Sequence, residues 1–252
     1  MAVEAAGAPA PWNPRSDRKA YIVWLSAIWL GILAGFGLDF GRYLTEQPAP
    51  PFILHFHGAV YVAWLCLITA QITLIETGQV RLHKTLGWVT AIVSGIMVPL
   101  GLVAAFVDQA RDVAHPDYAP QFLALEFEEM IAFSTFIIAG LLRRRDFAAH
   151  KRLMILAAVS LSDAGFARTW QATIKVVPSD PFGWWLSYFW GIALLLIAMA
   201  AWDLWRWRRI HPVVLWGAAL LIGGEIVTTA LNFNPAWKTL MMAAVRAWAW
   251  RG

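Results

Sequence analysis

Long apolar stretches alternate with short polar turns along most of the chain. A helix needs about 20 apolar residues to cross a bilayer core about 30 Å thick. Seven stretches have that length, and they cover residues 20–38, 52–75, 87–107, 122–142, 153–174, 182–204 and 213–231. The pattern predicts an all-α integral membrane bundle of seven transmembrane helices, with no room for a separate soluble domain.

Three of the turns share one layout, in which a basic turn follows an apolar run and a histidine opens the next run. They read RLHKTLGW at residues 81–88, AAHKRLMI at 148–155 and RRIHPVVLWG at 208–217. Their histidines, His83, His150 and His211, lie 67 and 61 residues apart. The repeat indicates successive helical hairpins whose turns all lie on one side of the membrane.

The basic residues indicate which side that is. Of 20 Lys and Arg residues, 13 lie in alternate segments, which are the N-terminal tail and these three turns. Loops rich in Lys and Arg stay in the cytoplasm. We therefore expect a bacterial inner-membrane protein with its N-terminus inside and its C-terminus outside. The net charge of +4 has this origin and does not indicate a nucleic-acid partner.

The bundle divides the chain into three regions. Residues 1–19 form a cytoplasmic tail, residues 20–231 the transmembrane domain, and residues 232–252 an outer tail. Within the outer tail, residues 236–250 are predicted to form an amphipathic helix at the membrane interface. Many of the 16 tryptophans lie near span ends. The expected partners are therefore the lipid bilayer and other membrane subunits, contacted through Trp-rich surfaces and the tail.

Ionisable residues inside the spans are the main functional signal. Each costs about 2.5–3.5 kcal/mol on insertion. A rise of about 1.5 Å per residue puts His57, Glu129 and Glu225 about 8–10 Å from the outer ends, and Asp163 about 16 Å. This depth predicts a polar site in the outer leaflet, with Glu126 on the same helix face as Glu129. A lone histidine bonded to a neighbouring carbonyl is the alternative for His57.

Two kinds of cofactor fit these residues. A b-type haem needs histidines from facing helices and arginines near its propionates. His57 with Arg42 and Arg168 offers such a set in the outer leaflet, and the pair His83 and His150 offers one at the inner side. Histidines at the interface without a ligand are the alternative there.

A metal ion is the second cofactor considered. Imidazole and carboxylate together suit iron, manganese or zinc. The expected ligands are in the outer leaflet: His57, Glu126, Glu129, Asp163 and Glu225.

The main functional hypothesis is therefore a redox cofactor serving membrane electron transfer or respiratory-chain assembly. Two alternatives remain open. The same acidic layer could titrate in a small-molecule or proton-coupled carrier. The protein could also be a non-catalytic accessory subunit of a larger membrane complex.

Four motifs carry a resemblance. They are His55-Phe56-His57-Gly58 with Trp64 and Gln71, His83-Lys84-Thr85-Leu86-Gly87, His150-Lys151-Arg152-Leu153-Met154 with Asp163 and Arg168, and His211-Pro212 with Leu215-Trp216-Gly217. Over residues 52–217 the chain resembles a family of bacterial multi-pass membrane proteins that has no assigned reaction. His-Lys or His-Arg before an apolar span is also similar to cytochrome-b-like haem membrane proteins and haem–copper oxidase assembly factors. That similarity implies haem binding.

Overall fold

The structure is a computed structural model that describes residues 12, 18–47, 49–111, 113 and 118–249. Within these residues the chain forms nine α-helices and no strand, which confirms the prediction of an all-helical protein. The helices are α1 (Arg18–Thr45), α2 (Phe52–Glu76), α3 (Val80–Arg111), α4 (Leu123–Leu142), α5 (Phe147–Val159), α6 (Asp163–Ile174), α7 (Pro181–Trp207), α8 (Pro212–Asn232) and α9 (Pro235–Ala249).

Five helices in the described part of the chain, α1, α2, α3, α7 and α8, are long and apolar enough to cross a membrane. The protein is thus built as a multi-pass membrane protein. Helix α4 has 20 residues but carries three glutamates. Helices α5 and α6 have 13 and 12 residues, so neither is long enough to span alone.

The fifth predicted span, residues 153–174, is not one continuous helix. It is divided into α5 and α6 by a break at Ser160–Ser162. The break lies in the protein interior, where Ser160 and Ser162 are 1% and 0% exposed. Their hydroxyl groups donate to the carbonyls of Ala157 and Val159, at 3.0 and 2.7 Å. Such bonds offer the backbone an alternative to the helical ladder.

Helix α6 packs closely against α1 because glycines face each other. A Cβ atom at Gly35 would collide with the carbonyl oxygen of Gly165. A Cβ atom at Gly165 would lie 2.6 Å from the carbonyl oxygen of Gly31. Any larger residue would push the two backbones apart, so these glycines hold α6 in place.

The core of the bundle is aromatic and aliphatic, and its outside is apolar as well. Trp64 is packed edge-on against Phe133, with ring centroids 5.1 Å apart, and its indole donates to Ser94 Oγ at 2.7 Å. Large apolar side chains on several helices point outwards, among them Leu30, Leu33, Ile92, Ile131, Ile197 and Ile226. An apolar exterior of this kind suits contact with lipid.

The C-terminal helix predicted at residues 236–250 is present as α9. Its Met241 and Val245 are buried against Ala105 and Leu123, and Trp237 Nε1 donates to the carbonyl of Gln121 at 3.1 Å. The helix therefore packs on the chain itself, and its place at an interface stays a prediction. Of the predicted tails, residues 1–11, 13–17 and 250–252 lie outside the described residues.

Candidate functional site

Carboxyl groups from three parts of the bundle converge at the break between α5 and α6. Asp163 opens α6 and is 2% exposed. Its carboxyl lies within hydrogen-bonding range of the Glu129 carboxyl on α4. Two carboxyl groups form such a bond only when one of them carries a proton. This pair is the centre of the site.

Three more glutamates interact electrostatically with this pair. Glu126 and Glu128 come from α4 and Glu225 from α8. Asp163 interacts electrostatically with every one of the four glutamates. We call the five groups the carboxyl cluster: Glu126, Glu128, Glu129, Asp163 and Glu225.

Glu225 is held by one hydrogen bond and has one oxygen to spare. Its Oε2 accepts from the indole of Trp185 at 2.9 Å. The side chain is 1% exposed, and within the described residues no donor reaches its Oε1. A buried oxygen without a donor is costly, so a proton or a ligand at this position would stabilise the site.

No salt bridge joins the cluster to a cation within the described residues. Among residues that the structure describes, no Lys, Arg or His forms an ion pair with any of its five carboxyl groups. Arg168, one turn along α6 from Asp163, donates instead to the carbonyl of Ala164 at 2.7 Å and lies 3.5 Å from Asp39 Oδ2. Arg168 nevertheless interacts electrostatically with Glu126 and Asp163. The cluster therefore has more carboxyl groups than nearby positive charge.

The predicted haem arginines are both engaged with the chain itself. Arg42 is exposed and binds both oxygens of Asp39, each at 2.7 Å. Arg168 contacts the same Asp39 and lies over the ring of Phe36, 4.4 Å from its centroid. Arg42 and Arg168, which the haem hypothesis assigned to the propionates, therefore both contact the Asp39 carboxylate instead.

His57 reaches the same region without joining the cluster. Its ring lies 4.2 Å from the ring of Tyr61, and its Nδ1 is buried with no hydrogen-bond partner among the described residues. Tyr61 Oη donates to Met130 Sδ at 3.4 Å. Across the described chain, no three His, Cys, Asp or Glu side chains are arranged to hold one metal ion. The metal set of His57, Glu126, Glu129, Asp163 and Glu225 stays a prediction.

The other predicted pair, His83 and His150, does meet. Their ring centroids are 6.4 Å apart and the rings are nearly perpendicular. His150 Nδ1 is 2.8 Å from the carbonyl oxygen of Gly140, at the end of α4. The amide of Gln71, turned so that its nitrogen faces α3, donates to His83 Nδ1 and to the His83 carbonyl.

The third turn histidine begins α8. His211 Nδ1 accepts from the backbone N–H of Val213 at 3.1 Å. The backbone N–H of His211 donates to Asp203 Oδ2 at 3.0 Å. Burial lowers the pKa of His211 to about 4. Asp203 also pairs with Arg152 of α5. The ring of Trp12 lies 4.7 Å from the ring of His211.

All three turn histidines therefore connect the beginning of one helix to the end of the helix before it. His83 connects α3 to α2, His150 connects α5 to α4, and His211 connects α8 to α7. This structural role explains the repeated motif without any ligand. The contacts also bring the three basic turns to one end of the bundle, which we call the basic end.

Sequence reasoning missed two groups at these sites. Asp203 lies inside the predicted span 182–204, so the rule that singled out the other intramembrane acids also applied to it. Trp185 donates to Glu225, but among 16 tryptophans nothing in the sequence distinguished it.

Comparison with known proteins adds no relative. No protein-family model, no curated protein and no solved structure matches the chain. The resemblance carried by the histidine motifs stays a prediction, and function has to be argued from the geometry.

Proposed function

We propose that this protein is a proton-coupled carrier of the bacterial inner membrane, and that the carboxyl cluster is its proton-binding site. In this proposal α4 and the α5–α6 pair cross the membrane together with the five longer helices, which makes seven spans. The basic end faces the cytoplasm, because Lys- and Arg-rich turns resist translocation. The N-terminus is then inside and the C-terminus outside.

The observation that carries the proposal is the electrostatic interaction of four glutamates with Asp163, with no salt bridge to any of the five carboxyl groups among the described residues. Unpaired charges are expensive in a low-dielectric interior, and such groups take up protons or bind cations instead. A proton on Glu129 or Asp163 would remove the repulsion between these two neighbouring carboxyl groups. Protons that hold such a site together leave when a solute or a conformational change alters it.

The break in the fifth span also supports a transport function. Transporters commonly place their binding sites at interrupted helices, where buried backbone groups are free to serve a ligand. Here the two halves are anchored differently. Helix α5 is fixed to the basic end by Arg152 and Asp203, and α6 is fixed to α1 by Gly35 and Gly165. A movement of α6 relative to α5 would therefore displace Asp163, the first residue of α6.

The test uses proteoliposomes with a pH-sensitive dye inside. A panel of amines, carboxylates and neutral solutes is applied outside, and the internal pH is followed. At least one class should change the internal pH with the wild-type protein, and Asp163→Asn should abolish the change. Asp146→Asn is the matched control, because Asp146 caps α5 outside the cluster and asparagine caps equally well. Unchanged proton movement in Asp163→Asn, or no response to any class, would overturn the proposal.

A second candidate is electron transfer through a b-type haem or metal ion at the basic end. It is favoured by one observation, the approach of His83 and His150. A ligating histidine usually gives its second ring nitrogen to a carbonyl, as His150 does with Gly140. Two residues supply only part of a coordination sphere, so this candidate is secondary.

The second candidate is tested by optical spectra of the purified protein, oxidised and dithionite-reduced, with metal analysis of the same sample. A reduced haem band or stoichiometric metal that is lost in His150→Ala, but kept in His55→Ala, is the expected result. His55 serves as control because it binds Tyr43 at 2.7 Å, away from the pair. A colourless, metal-free protein would rule this candidate out.

A further inference from the structure

A groove runs along the outside of the bundle between α4 and α8, and Trp237 of α9 lies at one end. Its volume is about 620 Å³, within the range of sites for drug-sized ligands. At its edges, Ile131 and Val227 are 63% and 58% exposed, so the groove opens to the side, where the lipid would be. Apart from one residue, its lining is apolar, aromatic or uncharged, and includes Phe127, Ile131, Gly223, Val227, Thr228 and Trp237.

That one residue is Glu128, the only ionisable side chain among the described residues of the lining. Its carboxyl lies over Gly224 of α8, where a Cβ atom would meet Glu128 Oε1. The glycine therefore makes the space that the carboxyl occupies. Within the described chain no side chain or backbone group forms a hydrogen bond or ion pair with Glu128. The groove thus presents a carboxyl group that lacks a partner.

Glu128 also connects the groove to the carboxyl cluster, since it interacts electrostatically with Asp163 and Glu225. A charge that binds at Glu128 from the lipid side would therefore change the electrostatic potential at Asp163 and Glu225. The groove therefore borders the carboxyl cluster through Glu128.

We propose that the groove binds a lipophilic organic monocation entering from the bilayer, with Glu128 as its counter-ion. The inference rests on the proposed function and names the substrate class. A cation pairs with the carboxylate and its apolar groups replace lipid along the lining. Phe127 and Trp237 pack edge to face, with ring centroids 6.3 Å apart, and both line the groove, where an aromatic face attracts a cation. Protonated Glu128 exchanges its proton for the cation, and the proton goes to water.

Charge complementarity selects this occupant over the others. A lipid acyl chain would fill the apolar lining but leave the carboxyl group without a partner. An organic anion would be repelled by Glu128 and by the acidic groups behind it. A second protein helix would need a basic residue at the height of Glu128 to satisfy the same group.

The experiment measures binding of tetraphenylphosphonium to the protein in phosphatidylcholine nanodiscs by calorimetry. Two buffers of different ionisation enthalpy give the number of protons released. The wild-type protein should bind the cation and release about one proton, as exchange at a single carboxyl requires. Glu128→Gln should weaken binding by about 30-fold or more, because a buried charge pair is lost. Glu128→Asp, which keeps the charge, should retain binding and shows that position 128 tolerates change.

A pair of glycine variants tests the place of binding. A Cβ atom at Gly223 meets nothing within 4 Å, so Gly223→Leu fills the groove without touching the carboxyl. It should weaken binding. Gly95→Leu on α3 also points into open space but away from the groove, and it should have no effect.

The outcomes separate the two proposals. Equal binding by Glu128→Gln and wild type would overturn the cation site and identify the groove as a lipid-filled surface. Cation binding that depends on Glu128 but releases no proton would support the site and contradict proton coupling. No binding to the wild type, with proton movement in liposomes still lost in Asp163→Asn, would overturn the cation site alone.

Discussion

Arg152 and Asp203 form an ion pair in which each side chain is only 1% exposed. The guanidinium binds both carboxylate oxygens, at 2.5 and 3.3 Å, and also donates to the carbonyl of Ala148 at 3.1 Å. Because Asp203 receives the backbone N–H of His211 as well, the pair links α5, α7 and the beginning of α8. The basic end is therefore connected by a charge pair that is shielded from solvent.

Breaking this pair should destabilise the protein strongly. Asp203→Ala removes the carboxylate from a buried ion pair, which typically costs about 3–5 kcal/mol of the free energy of unfolding. Thermal unfolding in detergent measures the loss. Replacing both groups, as Arg152→Met with Asp203→Leu, should cost less than either single change, because no charge is left unpaired.

The exposed pair between Arg42 and Asp39 provides the control. Arg42 is 62% exposed at its side chain. Surface ion pairs contribute about 0–1 kcal/mol, so Arg42→Ala should barely change the unfolding temperature. Equal losses in Asp203→Ala and Arg42→Ala would show that burial does not strengthen the Arg152–Asp203 pair.

The glycine contact between α1 and α6 makes a second prediction. Gly165→Ala places a methyl group against the backbone of Gly31, and overpacking of this kind costs about 1–3 kcal/mol. Gly37→Ala on the same α1 meets nothing within 4 Å and gains about 1 kcal/mol of helix propensity at most. Unfolding temperatures of the two variants should therefore move in opposite directions. A loss in both would contradict the close approach.

Acid should destabilise the protein through His211. Because burial lowers the pKa of His211 to about 4 from an ordinary 6.5, the folded protein keeps this ring neutral while the unfolded chain takes up a proton. The stability that depends on the neutral ring is present above pH 6.5 and is lost as the pH falls towards 4. His211→Asn keeps the helix cap and does not titrate.

The measurement is the unfolding temperature of wild type and His211→Asn between pH 7.5 and about 4.5, across the unfolded pKa of histidine. Over this interval the unfolding temperature of the wild type should fall further than that of His211→Asn. Parallel curves would show that His211 does not contribute to the acid sensitivity.

The helices could be predicted from the sequence because each apolar run is bounded by a basic turn or prolines. The break at Ser160–Ser162 could not, since serines are tolerated inside a helix. Only burial of Ser160 and Ser162 together with Asp163 distinguishes this stretch. Asp203 could have been identified from the sequence, because it is an acidic residue inside a predicted span, as Glu225 is.

The sequence indicated how far each candidate residue lies along its helix, but not how the helices are arranged around the bundle axis. Helical rise put Glu129 and Glu225 at about one depth and Asp163 nearer the midplane, and in the structure Asp163 interacts electrostatically with both. Which helices are neighbours cannot be read from one sequence. His57 therefore joined the predicted set although it lies against Tyr61, and Glu128 was left out although it faces Gly224 of α8.

The central claim is that the carboxyl cluster holds protons, and infrared spectroscopy tests it most directly. Protonated carboxylic acids have a C=O stretching band that ionised carboxylates lack, and the band shifts in deuterated water. At neutral pH the wild-type protein should show this band, with clear loss of intensity in Asp163→Asn and Glu129→Gln. A wild-type spectrum in which every carboxyl group is ionised would contradict the account, because the cluster would then need a bound cation in place of protons.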